Sequence, residues 1–161
     1  MYIAQRLREQ NIAEWIIYMW QVEDLLRGFA LDLDRVDAEY IARFGLDEAH
    51  REEMLIWYSD LIEMMRDEDV VEDGHLQVTL APLSLLTDLH QRLLASDKHP
   101  FYHAVYYKAL PFIVEVRGKG GDTTKPEIES ALEALYGVML LKMQKRDISA
   151  ATAAAVGDIS K

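Results

Sequence analysis

From Asn11 to Arg27 the chain reads NIAEWIIYMWQVEDLLR. Apolar side chains return every three or four residues, a rhythm that a helix sorts onto one side. At about 100° per residue, Glu14, Gln21, Asp24 and Gly28 fall on one narrow polar stripe. Ile12, Ile16, Met19, Leu26 and Ala30 form the apolar face, and Glu23 projects in the middle of it. A lone buried carboxylate is costly unless it is paired and hydrogen-bonded. Arg27 follows one turn later, in the favourable acid-before-base order. Glu23 is therefore expected to be buried and paired with Arg27, at a helix junction or a subunit interface. The alternative is a functional carboxylate in a pocket, with a raised pKa.

The same rhythm continues along the chain. A short helix is expected over residues 2–9. Asn11 and Glu14 have the spacing of a reciprocal N-cap, opening a helix to about Ala30. A weaker helix over 33–44 ends at Gly45, and Asp47 caps another that runs to about Arg66. DEDVVEDGHLQV reads as a loop with at most a small hairpin at Asp73-Gly74. Thr79 precedes a helix ending near Ala95, with Pro82 tolerated in its first turn. Pro100 starts a long helix that Pro111 should kink. GKGGDTTK is expected to be a loop. Thr124 and Glu127 suggest a second capping box around Pro126, for a helix to about Lys145. The Ala-rich stretch 149–156 should form a final short helix. No internal repeat and no long linker divides the chain.

Composition narrows the function classes. The 161 residues are half apolar, enough for one compact domain with a core. The net charge is −11, with a pI near 4.8, which repels phosphate backbones and anionic membranes. Lys142, Lys145 and Arg146 cluster where a helix end would favour cations. With no cysteine, disulfides, thiolate metal sites and a cysteine nucleophile are excluded. The N-terminus lacks the apolar core of a signal peptide. The apolar run Trp15 to Val22 is too short to span a bilayer, so a cytoplasmic location is expected.

The remaining candidate residues are few. Gly118-Lys119-Gly120-Gly121 lacks the order and the preceding strand of a phosphate loop. His99 and His103 are spaced i, i+4, but Pro100 puts His99 at or before the helix start. No His-Glu-x-x-His or bridging Glu-x-x-His motif occurs, and no metal or cofactor is expected. No G-x-S-x-G elbow supports a serine nucleophile. His90 projects among Leu83, Leu86, Leu93 and Leu94, a setting more typical of a hydrogen-bonded core histidine than of a ligand. His50 projects near Met54, Trp57 and Leu61. The 101–117 helix is apolar almost all round, with Lys108, Glu115, Ala104 and Pro111 on its polar side. Such a helix belongs in a bundle centre or an oligomer interface. The hydroxyls of Tyr102, Tyr106 and Tyr107 could satisfy Glu23 or His90, or line a pocket.

Several phrases also carry a resemblance. NIAEWIIYMWQVEDLLR, WYSDLIEMMR over 57–66, Gly74-His75-Leu76-Gln77, Thr87-Asp88-Leu89-His90, YYKALPFIVEVR, PEIE and ALYG occur in this order. Together they resemble a family of uncharacterised bacterial proteins classed as a domain of unknown function. The resemblance covers nearly the whole chain. It implies a helical single-domain protein, with a few further C-terminal residues in other members. It brings no activity, cofactor or catalytic residue.

The expected fold is all-α, one domain over 1–161, with about six to eight helices built around 11–30 and 101–117. The leading functional expectation is a non-enzymatic interaction or regulatory protein that forms a homo-oligomer. One alternative is a small-molecule or catalytic pocket around Glu23 and His90 with nearby tyrosines. A second is a metal-dependent enzyme. The candidate ligand-binding residues are Glu23, Arg27, His90, His103, Tyr106 and Tyr107.

Overall fold

A computed structural model describes residues 2–120 and 124–161. The fold is all-α, with eight α-helices and a single 3-10 turn among the described residues. These are α1 (Tyr2–Gln10), α2 (Ile12–Gly28), α3 (Leu33–Glu39), α4 (Glu48–Asp67), α5 (Gln77–Leu94), α6 (Pro100–Gly120), α7 (Glu127–Met143) and α8 (Ala150–Ile159). The 3-10 turn, Ile41–Phe44, follows α3. The chain forms two compact units, Met1–Pro82 and Leu83–Lys161.

The first unit is organised around α2. Its buried face holds Trp15, Ile16, Met19, Trp20, Val22 and Leu26. Glu14, Asp24 and Gly28 are exposed and Gln21 is half-buried, the polar stripe that the helical period requires. Asn11 caps α2 by accepting from Glu14 N at 3.2 Å. The return half of the box is replaced, because Asn11 N donates to Leu7 O. The helix ends at Gly28, not Ala30. Ala30 and Leu31 are left-handed, with φ of 54° and 55°, and Arg66 Nη2 donates to Leu31 O at 3.0 Å. Unsatisfied carbonyls beyond a helix end need such donors.

The expected weak helix over 33–44 is two pieces, α3 and the 3-10 turn, closed by left-handed Gly45. Asp47 caps α4 through His50 N, and its carboxylate also meets His50 Nδ1 at 2.7 Å. His50 is exposed as a result, not directed at the apolar face of α4. Residues 68–76 form a loop with no hairpin. Gly74 has a φ of +86°, and a Cβ there would sit 3.3 Å from Val70 Cγ1.

The second unit comprises the later part of α5 with α6, α7 and α8. Helices α6, α7 and α8 pack on one another. Leu83, Ala109, Ile113, Leu132 and Val138 are buried there. α6 continues through Pro111. It also continues through Gly118 to Gly120, where a loop was expected; Gly121 to Thr123 lie outside the described residues. α7 starts at Glu127 with Pro126 at its N-cap and no side-chain cap, so the Thr124–Glu127 box does not form. Ser149 caps α8 by accepting from Thr152 N at 3.0 Å.

Candidate functional site

Two clusters of buried polar groups stand out, one in each unit. In the first unit Glu23 is 1% exposed. Its expected partner, Arg27, turns away. Arg27 Nη1 meets Asp24 Oδ1 at 2.9 Å, and Nη2 donates to Val70 O at 3.0 Å and Gly74 O at 2.6 Å. Arg27 thus ties the 68–76 loop to α2. Peptide carbonyls, fixed in space by the loop, take the guanidinium donors that a neighbouring acid would have shared.

Glu23 instead serves the start of α5. Its Oε1 accepts from Leu76 N at 3.1 Å, and its Oε2 lies 2.7 Å from His75 Nδ1. The His75 ring stacks on Trp20 with centroids 4.5 Å apart. Next along the chain, Glu68 Oε2 accepts from Gln77 N at 2.6 Å. Two carboxylates from outside the helix therefore take the first N–H groups of α5, where the helix dipole favours negative charge. This explains why α5 starts at Gln77, ahead of Thr79, and why Pro82 lies beyond the first turn. Glu23 has its acceptor capacity directed at backbone and imidazole, which is an architectural use of a buried acid.

In the second unit His90 is 6% exposed. Its Nε2 lies 3.2 Å from Glu127 Oε2 and its Nδ1 lies 2.6 Å from Tyr102 Oη. Tyr106 Oη donates to the same Glu127 Oε2 at 2.9 Å. A carboxylate has no proton to give, so Nε2 carries the hydrogen toward Glu127. In the neutral tautomer with that hydrogen, Nδ1 accepts from the Tyr102 hydroxyl. Glu127 Oε1 faces Arg117 Nη1 at 3.8 Å, outside hydrogen-bonding reach.

The tyrosines are held protonated. Burial and the charge of Glu127 raise the Tyr102 pKa. Burial and the hydrogen bond to Glu127 push Tyr106 up to about 12. A phenol so shifted is a hydrogen-bond donor at neutral pH, not a nucleophile. The cluster lines a cavity of about 110 Å³, whose other walls are aliphatic side chains such as Val105, Ala109, Ile113 and Ile128 together with Asp158 and Lys161.

The other candidates lie elsewhere. His103 Nε2 donates to Leu93 O at 2.9 Å, satisfying a carbonyl at the end of α5, and His99 is exposed. Tyr107 is 63% exposed and does not line the cavity. No group of three or more His, Asp or Glu among the described residues could hold a metal ion. Glu23 and His90 belong to different units, and each is bonded within its own.

Three contributors to these clusters are weakly marked in the sequence. His75 figured only within a family phrase, although its position just before an apolar helical run was a usable signal. Glu68 carried no signal. Glu127 was assigned to a cap, and its place beside Pro126 in the first turn of a helix pointed that way.

No helix is long and apolar enough to cross a membrane among the described residues. No curated protein and no solved structure matches the chain. A family model matches residues 1–161, a range that contains the ordered phrases from NIAEWIIYMWQVEDLLR at Asn11 to ALYG ending at Gly137. By that match the chain belongs to the family described as Domain of unknown function (DUF4924).

Proposed function

We propose that the protein is a non-enzymatic interaction or regulatory protein of the cytoplasm that works as a homo-oligomer, with α6 as its contact surface. One observation carries this reading. α6 leaves Tyr107 63% and Val114 58% exposed, on a stripe continued by exposed Ala104 and Pro111. Phe101, 81% exposed, stands at the edge of this stripe. Grouped apolar exposure on a helix that also builds a core marks an interaction surface.

A second copy of the chain fits this stripe. Lys108 and Glu115 flank it at equal distances from the Pro111–Phe112 bond. Antiparallel pairing of two α6 helices about a two-fold axis would set the Lys108 of each copy against the Glu115 of the other. Such self-complementarity is what an isologous interface requires. The net charge of −11 disfavours nucleic acid and anionic membranes as partners.

Light scattering on the purified chain tests the proposal. The expected mass at high micromolar concentration is a multiple of 18.5 kDa, and Val114→Glu should reduce it to that of one chain. A clean monomer at that concentration refutes self-association.

A further inference from the structure

The end of α8 stands over the buried cluster of the second unit. Asp158, Ile159 and Lys161 line the same cavity as His90, Tyr102 and Glu127. We propose that α8 is a strap that opens on its own, with Lys108 as its latch, and that its opening admits solvent to His90. The strap does not depend on self-association through α6.

The packing of α8 is thin. It buries no side chain fully, whereas α6 and α7 bury Ala109, Ile113, Leu132 and Val138. Its inner face is only half-buried, at Thr152, Ala155, Val156, Asp158 and Ile159. Near its start a space of about 300 Å³ is lined by Phe112 and Val116 of α6 and by Ala151, Thr152 and Ala155. Side chains that face a space instead of atoms forfeit dispersion contacts.

A helix of ten residues is marginal on its own in water. α8 is therefore helical by virtue of its contacts with α6 and α7 and its Ser149 cap. Leaving those contacts and losing the helix are one event. Gly157 makes that event easier. A Cβ there would meet nothing within 4 Å, so no close packing calls for glycine, and glycine weakens a helix interior.

The latch is polar. Asp158 Oδ1 meets Lys108 Nζ at 2.7 Å and Lys161 Nζ at 3.2 Å. Lys161 travels with the strap, so Lys108 makes the tie to α6. Lys108 is 62% exposed, and a pair with one partner in solvent shifts an equilibrium by about fivefold at most. Segments held so lightly open without the rest of the fold. Opening removes one wall of the cavity, and His90, 6% exposed when α8 is seated, then meets water.

Hydrogen exchange followed by mass spectrometry on the full chain tests the strap. The amides of α8 should exchange at least about tenfold faster than those of α6 and α7. Asp158→Asn should speed α8 exchange by about two- to fivefold and leave α2 and α4 unchanged. Gly157→Ala should slow it by about fivefold, a change with no cost to folding. Labelling of His90 by diethyl pyrocarbonate, read on its own peptide, should rise in the first variant and fall in the second. Exchange in α8 as slow as in α6 overturns the strap. Unchanged α8 exchange in Asp158→Asn overturns the latch. Constant His90 labelling while α8 exchange changes in both variants overturns the covering of His90.

Discussion

Removing the Glu23 side chain would leave Leu76 N and His75 Nδ1 without the acceptor they share, in a place where Glu23 is 1% exposed. A buried donor that loses its partner costs its full desolvation penalty. Glu23→Ala should therefore destabilise by about 2–4 kcal/mol. For a chain of this length that lowers Tm by about 5–15 °C. Glu23→Gln keeps an acceptor for Leu76 N, so its loss should be smaller. Thermal unfolding followed by circular dichroism separates the two, and equal losses would mean that only the charge matters. In the other unit, Tyr106 has its pKa raised to about 12 from 10.0. A group with a raised folded pKa binds its proton more tightly when folded. Its contribution is thus complete below pH 10 and lost as pH rises toward 12. Phenolate absorbance should show late-titrating tyrosines, Tyr58 and Tyr102 among them, and Tyr106→Phe should reduce that late component by one phenol.

At the scale of the element, the helix caps divide into local and distant ones. Asn11, Asp32, Asp47 and Ser149 each accept from the backbone three residues on. That spacing can be read directly from a chain, and it is why α2, α4 and α8 begin where the residues suggest. The start of α5 depends on Glu23, 53 residues from Leu76, and on Glu68, nine residues before Gln77. No helical spacing announces such a cap, so the sequence places the helix start later, after Thr79. The same distinction explains the sites. The helical period placed Glu23 and His90 on buried faces, but a wheel does not say which helix is opposite. Arg27 was the natural partner within one helix, and loop carbonyls displaced it. Asp47 offers a test of a local cap. Its hydrogen bonds from His50 N and the His50 ring hold its carboxyl below the ordinary 3.8. A lowered folded pKa gives stability that is present above pH 3.8 and lost as pH falls below it. The Tm difference between the native chain and Asp47→Ala should thus be greatest near neutrality and shrink in acid. A difference that persists unchanged in acid would assign the cap to something other than the carboxylate.

For the whole molecule, charge and apolar exposure oppose each other. Each copy carries −11, so two copies repel, and the repulsion acts through solvent where salt screens it. The apolar contact proposed for Tyr107 and Val114 is not screened. The flanking Lys108 and Glu115 contribute little, because exposed pairs are worth about 0–1 kcal/mol. In this chain Lys108 also meets Asp158 Oδ1 of α8 at 2.7 Å. Salt should therefore strengthen self-association. Sedimentation equilibrium should give a tighter dissociation constant at about 0.5 M salt than at about 0.05 M, where the screening length falls from more than 10 Å to less than 5 Å. Val114→Glu should abolish association at both. Weakening with salt would instead mean that the contact is held by ion pairs, and the apolar stripe of α6 would lose its role.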